Sequence, residues 1–189
     1  MIQASKSNDA STTIILLQSN NLNHWYESNI QPFQKKKGLF SPYFFSHKKK
    51  IYIFYSENLK NICCNIYNNQ FNKKIRKIEI YKNKNLKSYI YAPNVIKINK
   101  YFYMFFAEWE NNNMSNLEIL KSQDLFKWKK ISNRHLLNLN QQIKLISEPC
   151  IIKYKFRYIL LFECKLINTW NIGYIKIKNI DYSKAFSKN

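Results

Sequence analysis

A short phrase of residues built around a proline occurs three times along the chain and constrains its fold more than any other feature. Each proline lies near the head of an apolar run, and a polar turn separates that run from a second apolar run. The prolines are Pro42, Pro93 and Pro149, which are 51 and 56 residues apart. The second runs span residues 51–55, 101–106 and 157–162. Two apolar runs joined by a polar turn are typical of a β-hairpin, so the chain is predicted to repeat a hairpin about every 50 residues.

A second phrase adds further strands to the repeat. The pattern S-x-x-L-x-x-W occurs from Ser122 to Trp128 and again from Ser19 to Trp25, and each copy follows a strand-like run. Each unit therefore reads as four antiparallel strands, and helical periodicity is not evident over a useful length. A repeat of four strands at this spacing predicts an all-β fold, namely a β-propeller of four-stranded antiparallel blades.

The repeat divides the chain into an incomplete propeller that we predict to be one domain, residues 1–189. Residues 12–28 are the outer half of a blade, and residues 38–80, 89–132 and 145–180 are further blades, the last with a weak or missing final strand. This gives about three and a half blades, whereas closed propellers have at least four. Three explanations stay open: the chain is a fragment, it closes the propeller by self-association, or the blade count is wrong.

The charge of the chain allows two interpretations. Thirty-one basic and 11 acidic residues give a net charge of +20. One interpretation is a scaffold that binds nucleic acid or an acidic partner through lysine-rich hairpin tips, such as residues 35–37 and 48–50. The other is biased coding composition, because 28 of the basic residues are Lys and only three are Arg. Base readers favour Arg, so composition is the preferred interpretation and nucleic acid the less expected partner.

Cysteine usage and apolar runs bear on the compartment. The four cysteines are Cys63, Cys64, Cys150 and Cys164, with no CxxC pair, so no metal site or cofactor is predicted. Free, buried thiols are favoured, although a disulfide between Cys150 and Cys164 stays open. The start of the chain lacks the apolar region of a signal peptide, and no run reaches membrane-spanning length. These features predict a cytoplasmic protein that does not enter a membrane.

The phrases around Pro93 carry a family resemblance. Residues 91–95 (Tyr-Ala-Pro-Asn-Val), the run 101–106 and the phrase 122–128 resemble the W-A-P-D-V … Y-Y-L-Y-Y-S … S-x-D-L-x-x-W text of the five-bladed propeller glycosidases. These are the arabinanase and β-xylosidase group, glycoside hydrolase family 43, with the related fructosidases and levansucrases. The resemblance covers about residues 12–180. It implies a five-bladed type of propeller, a sugar ligand, and carboxylates at the starts of the innermost strands.

Carrying the family's catalytic positions over gives an incomplete set. The resemblance matches the family's base to Ser41 and the aspartate of its W-A-P-D text to Asn94, and neither residue is a carboxylate. The carboxylate that tunes the acid matches Glu148, which is the one catalytic position predicted here. The general acid belongs to a further blade. The family's hydrolytic mechanism therefore reads as incomplete in this chain.

The repeat also aligns three glutamates. Glu57 and Glu108 lie 15 residues after their prolines and Glu163 lies 14 after its own, at the end of the second strand of each unit. In a hairpin this point lies beside the start of the first strand, so these side chains are predicted to gather with Glu148. Trp109 follows Glu108 and is predicted to stack on a sugar. The alternative is that the glutamates are solvated strand ends paired with lysines.

Three functions follow. The first is a carbohydrate-active propeller homologue, either a degenerate or partial glycoside hydrolase or a glycan-binding module. Its predicted ligand-binding residues are Ser41, Asn94, Glu57, Glu108, Glu163 and Trp109. The second is the basic scaffold, whose binding should weaken steeply with salt whereas sugar binding should not. The third is a live hydrolase that takes its missing blades from a neighbouring chain.

Overall fold

The computed structural model describes residues 2–5, 12–29, 33, 38–85, 87–110, 114–131, 143–166 and 169–177. Every regular element in these ranges is a β-strand, and every strand pair in them is antiparallel. This confirms the predicted all-β class and the four-stranded antiparallel sheets. Within the same ranges, no helix has the length and apolar character needed to cross a membrane.

The chain divides into two compact units, residues 1–84 and residues 85–189. In the first unit, β1 (Ile2–Ser5) pairs with β2 (Thr12–Ile15), and β3 (Leu17–Gln18) pairs with β4 (Tyr26–Glu27). A four-stranded sheet follows in chain order: β5 (Leu39–His47), β6 (Lys50–Glu57), β7 (Asn61–Asn68) and β8 (Lys74–Lys82). The sheet is a meander, because each strand pairs with its neighbour in sequence.

The burial of the first unit follows the sequence pattern. β6 and β7 are the central strands, and their apolar runs are buried on both faces. Phe33 packs edge-on against Tyr55, with 4.9 Å between ring centroids, in a core that also contains Ile14. β8 is mostly exposed and rich in Lys and Arg, which protects an outer strand against pairing with other chains.

The second unit contains two sheets. The first has the order β9 (Ser88–Ile98), β10 (Tyr101–Glu110), β11 (Met114–Ser122) and β12 (Trp128–Lys130). The second has the order β13 (Ile143–Tyr154), β14 (Arg157–Leu166) and β15 (Thr169–Ile177). The two sheets share one apolar core, in which Tyr103 and Phe105 of β10 accompany Leu160 and Phe162 of β14. Face-to-face packing of successive sheets is the arrangement of propeller blades.

The S-x-x-L-x-x-W phrase forms a side-chain-capped turn between β11 and β12. The Ser122 hydroxyl accepts the N–H of Leu125 at 3.0 Å, and the Asp124 carboxylate accepts the N–H of Lys127 at 2.8 Å. Trp128 donates its indole N–H to the carbonyl of Leu125 at 3.0 Å. Short polar side chains thus satisfy the main chain where the ladder stops.

The N-terminal copy of the phrase folds into the same turn. The Ser19 hydroxyl accepts the N–H of Leu22 at 2.9 Å, and Asn21 accepts the N–H of His24 at 3.0 Å. Trp25 donates to the carbonyl of Leu22 at 3.0 Å. Leu22 and Leu125 share a positive φ, 64° and 68°. The recurrence seen in the sequence is therefore a recurrence of local structure.

The strands lie close to the predicted blade ranges. The sheets begin and end at residues 39–82, 88–130 and 143–177, while predicted positions 132 and 178–180 lie outside the described residues. The strand-like run before Ser19 is two strands, β2 and β3, which break at Leu16, whose carbonyl accepts the N–H of Ser28 at 2.9 Å. The single-domain organisation and the blade count stay predictions.

Candidate functional site

The first strand of each repeat carries a bulge at its proline. The residue before each proline has a left-handed backbone: φ is 48° at Ser41, 55° at Ala92 and 45° at Glu148. The ladders with β6, β10 and β14 shift register at these three points. Proline cannot donate a ladder hydrogen bond, so the strand bends and the preceding side chain is re-aimed. A non-glycine residue in this conformation costs about 1–3 kcal/mol, and its threefold recurrence indicates a site that the fold maintains.

The registers show which residues are equivalent among the three bulges. The first pairs after the bulge are Tyr43–Phe54, Asn94–Phe105 and Cys150–Leu161. Ser41, Ala92 and Glu148 therefore occupy the same position in their strands. Glu148 is the one carboxylate among these three residues. Asn94 lies two residues further along, at the position of Tyr43 and Cys150. Sequence reasoning missed Ala92, which counting from the prolines alone would have found.

The registers also correct the alignment of the glutamates. Phe54 and Phe105 belong to the first pair after the bulge in their ladders. Glu57 lies three residues after Phe54 and Glu108 lies three residues after Phe105, so the two glutamates are equivalent. The residue at that position in β14 is Cys164, and Glu163 is equivalent to Ala107. Successive strand residues point to opposite faces, so Glu163 does not belong to the set formed by Glu57 and Glu108.

Glu57 and Glu108 each accept hydrogen bonds from side chains of their own sheets. The Glu57 carboxylate accepts from the Lys77 ammonium at 2.7 Å and from the Cys63 thiol at 3.5 Å. Burial raises the pKa of Cys63 to about 12, and the Glu57 charge adds to the rise, so this thiol stays protonated and able to donate. Glu108 is buried and accepts the Ser88 hydroxyl at 2.9 Å. Their ligand-binding roles stay predictions.

Five residues of the second unit form what we call the Glu148 cluster: Tyr91, Trp109, Ser147, Glu148 and Glu163. The Ser147 hydroxyl donates to Glu163 at 2.9 Å. Glu148 keeps access to solvent, yet the surrounding protein partly desolvates its carboxyl and raises its pKa, and the negative charge of Glu163 adds to the rise. Burial raises the pKa of Tyr91, with further rises from the charges of Glu148 and Glu163.

Hydrogen bonds between sheets hold the Glu148 bulge on both sides. Before the bulge, the Trp109 indole donates to the carbonyl of Ile146 at 3.1 Å, and the Ser115 hydroxyl accepts the N–H of Ile146. After the bulge, the Asn94 side-chain oxygen accepts the N–H of Ile151 at 3.2 Å. Two residues predicted from sequence to bind ligand thus fix the backbone beside Glu148. Direct ligand contact by Asn94 or Trp109 stays a prediction.

The geometry around Trp109 presents an ordered aromatic surface. Its ring meets that of Tyr91 edge to face, with 5.4 Å between centroids and 81° between planes. This half-buried indole, held by Tyr91 and by the carbonyl of Ile146, offers an apolar face for the C–H side of a sugar. The described residues contain no group of three or more His, Cys, Asp or Glu side chains that could hold a metal ion.

The cysteines are all free. Cys63, Cys64 and Cys164 are buried, and Cys150 is exposed. Cys150 pairs with Leu161 across the ladder, whereas Cys164 pairs with Ile146, beyond the bulge. The prediction of free, buried thiols holds for three of them and is wrong for Cys150, which is exposed.

Two surface clefts of the second unit lie away from the Glu148 cluster. One of about 340 Å³ surrounds the β13–β14 turn, with Tyr154, Phe156 and Lys176 in its wall. The other, of about 290 Å³, is lined by Tyr101, Lys121, Asp124, Lys127 and Lys129 among others.

Solved structures share the fold at low sequence identity. A thermostable family-43 glycoside hydrolase matches with a TM-score of 0.75 and 15% identity, covering 93% of this chain and 68% of its own. The α-L-arabinanase of Cellvibrio cellulosa matches with a TM-score of 0.69 and 10% identity, covering 91% of this chain and 67% of its own. An α-L-arabinofuranosidase from Lactobacillus brevis matches with a TM-score of 0.71 and 13% identity, covering 87% of this chain and 62% of its own. This chain thus spans about two thirds of these proteins, and the likeness shows the propeller fold.

A sequence model of a protein family identifies the family to which the chain belongs. No curated protein sequence matches the chain. Residues 2–151 match the model described as glycosyl hydrolases family 32 N-terminal domain, which is the larger part of the chain. The predicted superfamily of propeller glycosidases is confirmed, while the finer assignment to family 43 stays a prediction. The chain belongs to the family of the glycosyl hydrolase family 32 N-terminal domain.

Proposed function

We propose that this chain binds a carbohydrate at the Glu148 cluster and does not by itself hydrolyse glycosides through a pair of carboxylates. One observation carries the proposal: of the three equivalent bulge positions, Ser41, Ala92 and Glu148, one holds a carboxylate. Hydrolysis by this class of mechanism needs an acid together with a base or nucleophile. A serine and an alanine cannot replace the missing carboxylates.

Glu163 does not supply the missing partner in this proposal. It accepts the Ser147 hydroxyl, and its charge raises the pKa of Glu148. A neighbouring carboxylate of this kind tunes a proton affinity. The pair Glu148 and Glu163 is therefore assigned to hydrogen bonding with sugar hydroxyls, and Trp109 and Tyr91 to shaping the apolar wall beside them.

The ligand class is proposed from the family and its structural neighbours. The chain belongs to a glycosyl hydrolase family, and a solved neighbour at 10% identity is an arabinanase complexed with arabinohexaose. We therefore propose oligosaccharides, with arabinohexaose as the first probe.

A glycan panel tests the proposal. The wild type, Glu148→Gln and the matched control Glu110→Gln are applied at about 0.15 M and 0.5 M salt, and the reducing ends released from each glycan are measured in parallel. We expect a subset of glycans to retain the wild type and Glu110→Gln, with Glu148→Gln weakened and no product released. Retention of no glycan at all would overturn the binding role. Product release that Glu148→Gln abolishes would instead establish a live hydrolase.

The competing scaffold function predicts that binding weakens steeply as the salt concentration rises. The cleft with Lys121, Lys127 and Lys129 offers cations, and Lys121 lies 3.9 Å above the ring of Tyr101. For phosphate binding at this cleft, the logarithm of the affinity would fall linearly with the logarithm of the salt concentration. Retention of single-stranded nucleic acid that collapses at 0.5 M salt, without retention of any glycan, would favour the scaffold.

A further inference from the structure

One ladder pair of the second unit places two lysines directly opposite each other. Lys121 of β11 pairs with Lys129 of β12. The chain has 31 basic residues, yet among the described ladders this is the one pair whose two members are both Lys or Arg. Like charges opposite each other destabilise a sheet. An arrangement that breaks a rule kept by the other ladders is typical of a functional position.

The pair lies in the wall of a surface cleft of about 290 Å³, together with Tyr101 and Lys127, and we call this cleft the lysine cleft. The Lys121 ammonium lies over the Tyr101 ring, 3.9 Å from its centroid, and the Lys100 ammonium lies 5.4 Å from the same centroid. The negative face of an aromatic ring attracts a cation. The ring therefore orients Lys121 at the cleft without removing its charge.

The acidic residues nearby in sequence are bound elsewhere. The Glu118 carboxylate pairs with Lys130 at 3.0 Å. The Asp124 carboxylate accepts the N–H groups of Lys127 and Phe126, each at 2.8 Å, and these hydrogen bonds lower its pKa. In the described ranges no salt bridge involves Lys121 or Lys129. The negative charge that would balance this pair therefore has to come from a ligand.

We propose that the lysine cleft is a second ligand site, which binds the phosphate monoester group of a small molecule. An oxyanion between Lys121 and Lys129 accepts a charge-assisted hydrogen bond from each ammonium, so that two repelling cations share one attractive partner. A phosphate monoester carries a charge of about −1.5 to −2 at pH 7, which matches the two lysines. The site does not depend on sugar binding at the Glu148 cluster.

The form of the cleft favours a small ligand over a nucleic acid. Its volume of about 290 Å³ lies at the lower end of the range for small-molecule sites. Proteins that bind single-stranded nucleic acid present aromatic rings on which successive bases stack. In the lysine cleft, Lys121 lies over the Tyr101 ring, in the place that a stacked base would take.

Calorimetric titration in a chloride buffer, at about 0.05 M salt and about pH 7.5, tests the proposal on the wild type. The probes are glucose 6-phosphate, glucose 6-sulfate, which carries one charge, and uncharged glucose. We expect glucose 6-phosphate to bind most tightly, glucose 6-sulfate more weakly and glucose least. Equal affinities for glucose and glucose 6-phosphate, or no binding of either ester, would overturn the proposal.

A matched pair of variants tests the location. Lys129→Gln and Lys153→Gln each remove one exposed lysine charge, but the ladder partner of Lys153 is Tyr158. Lys129→Gln should weaken glucose 6-phosphate binding at least about threefold, whereas Lys153→Gln and Glu148→Gln should bind it as the wild type does. Equal weakening by Lys129→Gln and Lys153→Gln would show a general effect of net charge and contradict the site.

The thermal stability of the same variants tests the repulsion. Without any phosphate or sulfate present, Lys129→Gln should melt at a higher temperature than the wild type, because the opposed charges are gone. Lys153→Gln should melt as the wild type does. A melting temperature of Lys129→Gln at or below that of the wild type would show that the lysine pair is not strained, and would remove the basis of the proposal.

Acetylation of the wild type, followed by mass spectrometry, locates the ligand without any substitution. Glucose 6-phosphate should slow the acetylation of Lys121 and Lys129 but not that of Lys153. The same slowing by single-stranded RNA at matched ionic strength, with none by glucose 6-phosphate, would overturn the small-molecule assignment in favour of a nucleic acid.

Discussion

The hydrogen bond from Ile151 to Asn94 gives the sharpest test of how the Glu148 bulge is held. Asn94 is 6% exposed, and its side-chain oxygen accepts the N–H of Ile151 at 3.2 Å. Asn94→Ala removes that acceptor and leaves a buried main-chain donor without a partner. Such a loss costs about 1–3 kcal/mol. At about 2–4 °C per kcal/mol for a chain of this size, the melting temperature should fall by roughly 2–12 °C.

Thermal unfolding followed by circular dichroism measures the global effect, and hydrogen exchange measures the local one. The amide of Ile151 should exchange faster in Asn94→Ala by more than the change in global stability explains, because the bulge itself is released. Asn171→Ala, an exposed position on β15, is the control and should change the melting temperature by less than about 1 °C. If Asn94→Ala is as mild as this control, the inter-sheet bond does not hold the bulge.

Three further predictions concern single side chains. A Cβ at Gly173 would lie 2.5 Å from the Phe162 ring, so Gly173→Ala should cost about 1–3 kcal/mol in urea unfolding, and an unchanged midpoint would show that the ring moves freely. The raised pKa of Glu148 means that the folded state disfavours the charged carboxyl, so stability is fully present below the ordinary pKa and is lost as pH rises through the raised one. The melting temperature of the wild type minus that of Glu148→Gln should therefore fall as the pH rises above about 4, and a constant difference would contradict this. Glu57→Gln weakens a partly exposed ion pair with Lys77, so its loss in unfolding free energy should stay below about 1 kcal/mol.

The sequence predicted the repeat well because local chemistry specifies it. Proline removes a ladder donor wherever it occurs, so Pro42, Pro93 and Pro149 each produce the same bulge. The capped turns beginning at Ser19 and Ser122 form from side chains within a few residues, which the phrase itself contains. Features of this kind need no information from distant parts of the chain.

The candidate site was predicted less completely because it depends on register and on contacts between sheets. In all three hairpins the first strand ends five residues after the proline, and a two-residue turn follows. Counted from the turn, Glu163 comes one residue earlier than Glu57 and Glu108, and its offset of 14 rather than 15 was the available signal. The bonds of Asn94 and Trp109 to β13 join residues 57 and 37 apart in sequence, and no local pattern specifies them.

Calorimetric titration of the tightest glycan from the panel tests the central claim most directly. The dissociation constants of the wild type and of Glu148→Gln are compared at one pH and one salt concentration. A hydrogen bond to a charged carboxylate contributes about 1.5–3 kcal/mol, so the substitution should weaken binding at least about tenfold, with Glu110→Gln unchanged. Equal dissociation constants for the wild type and Glu148→Gln would contradict the assignment of sugar binding to the Glu148 cluster.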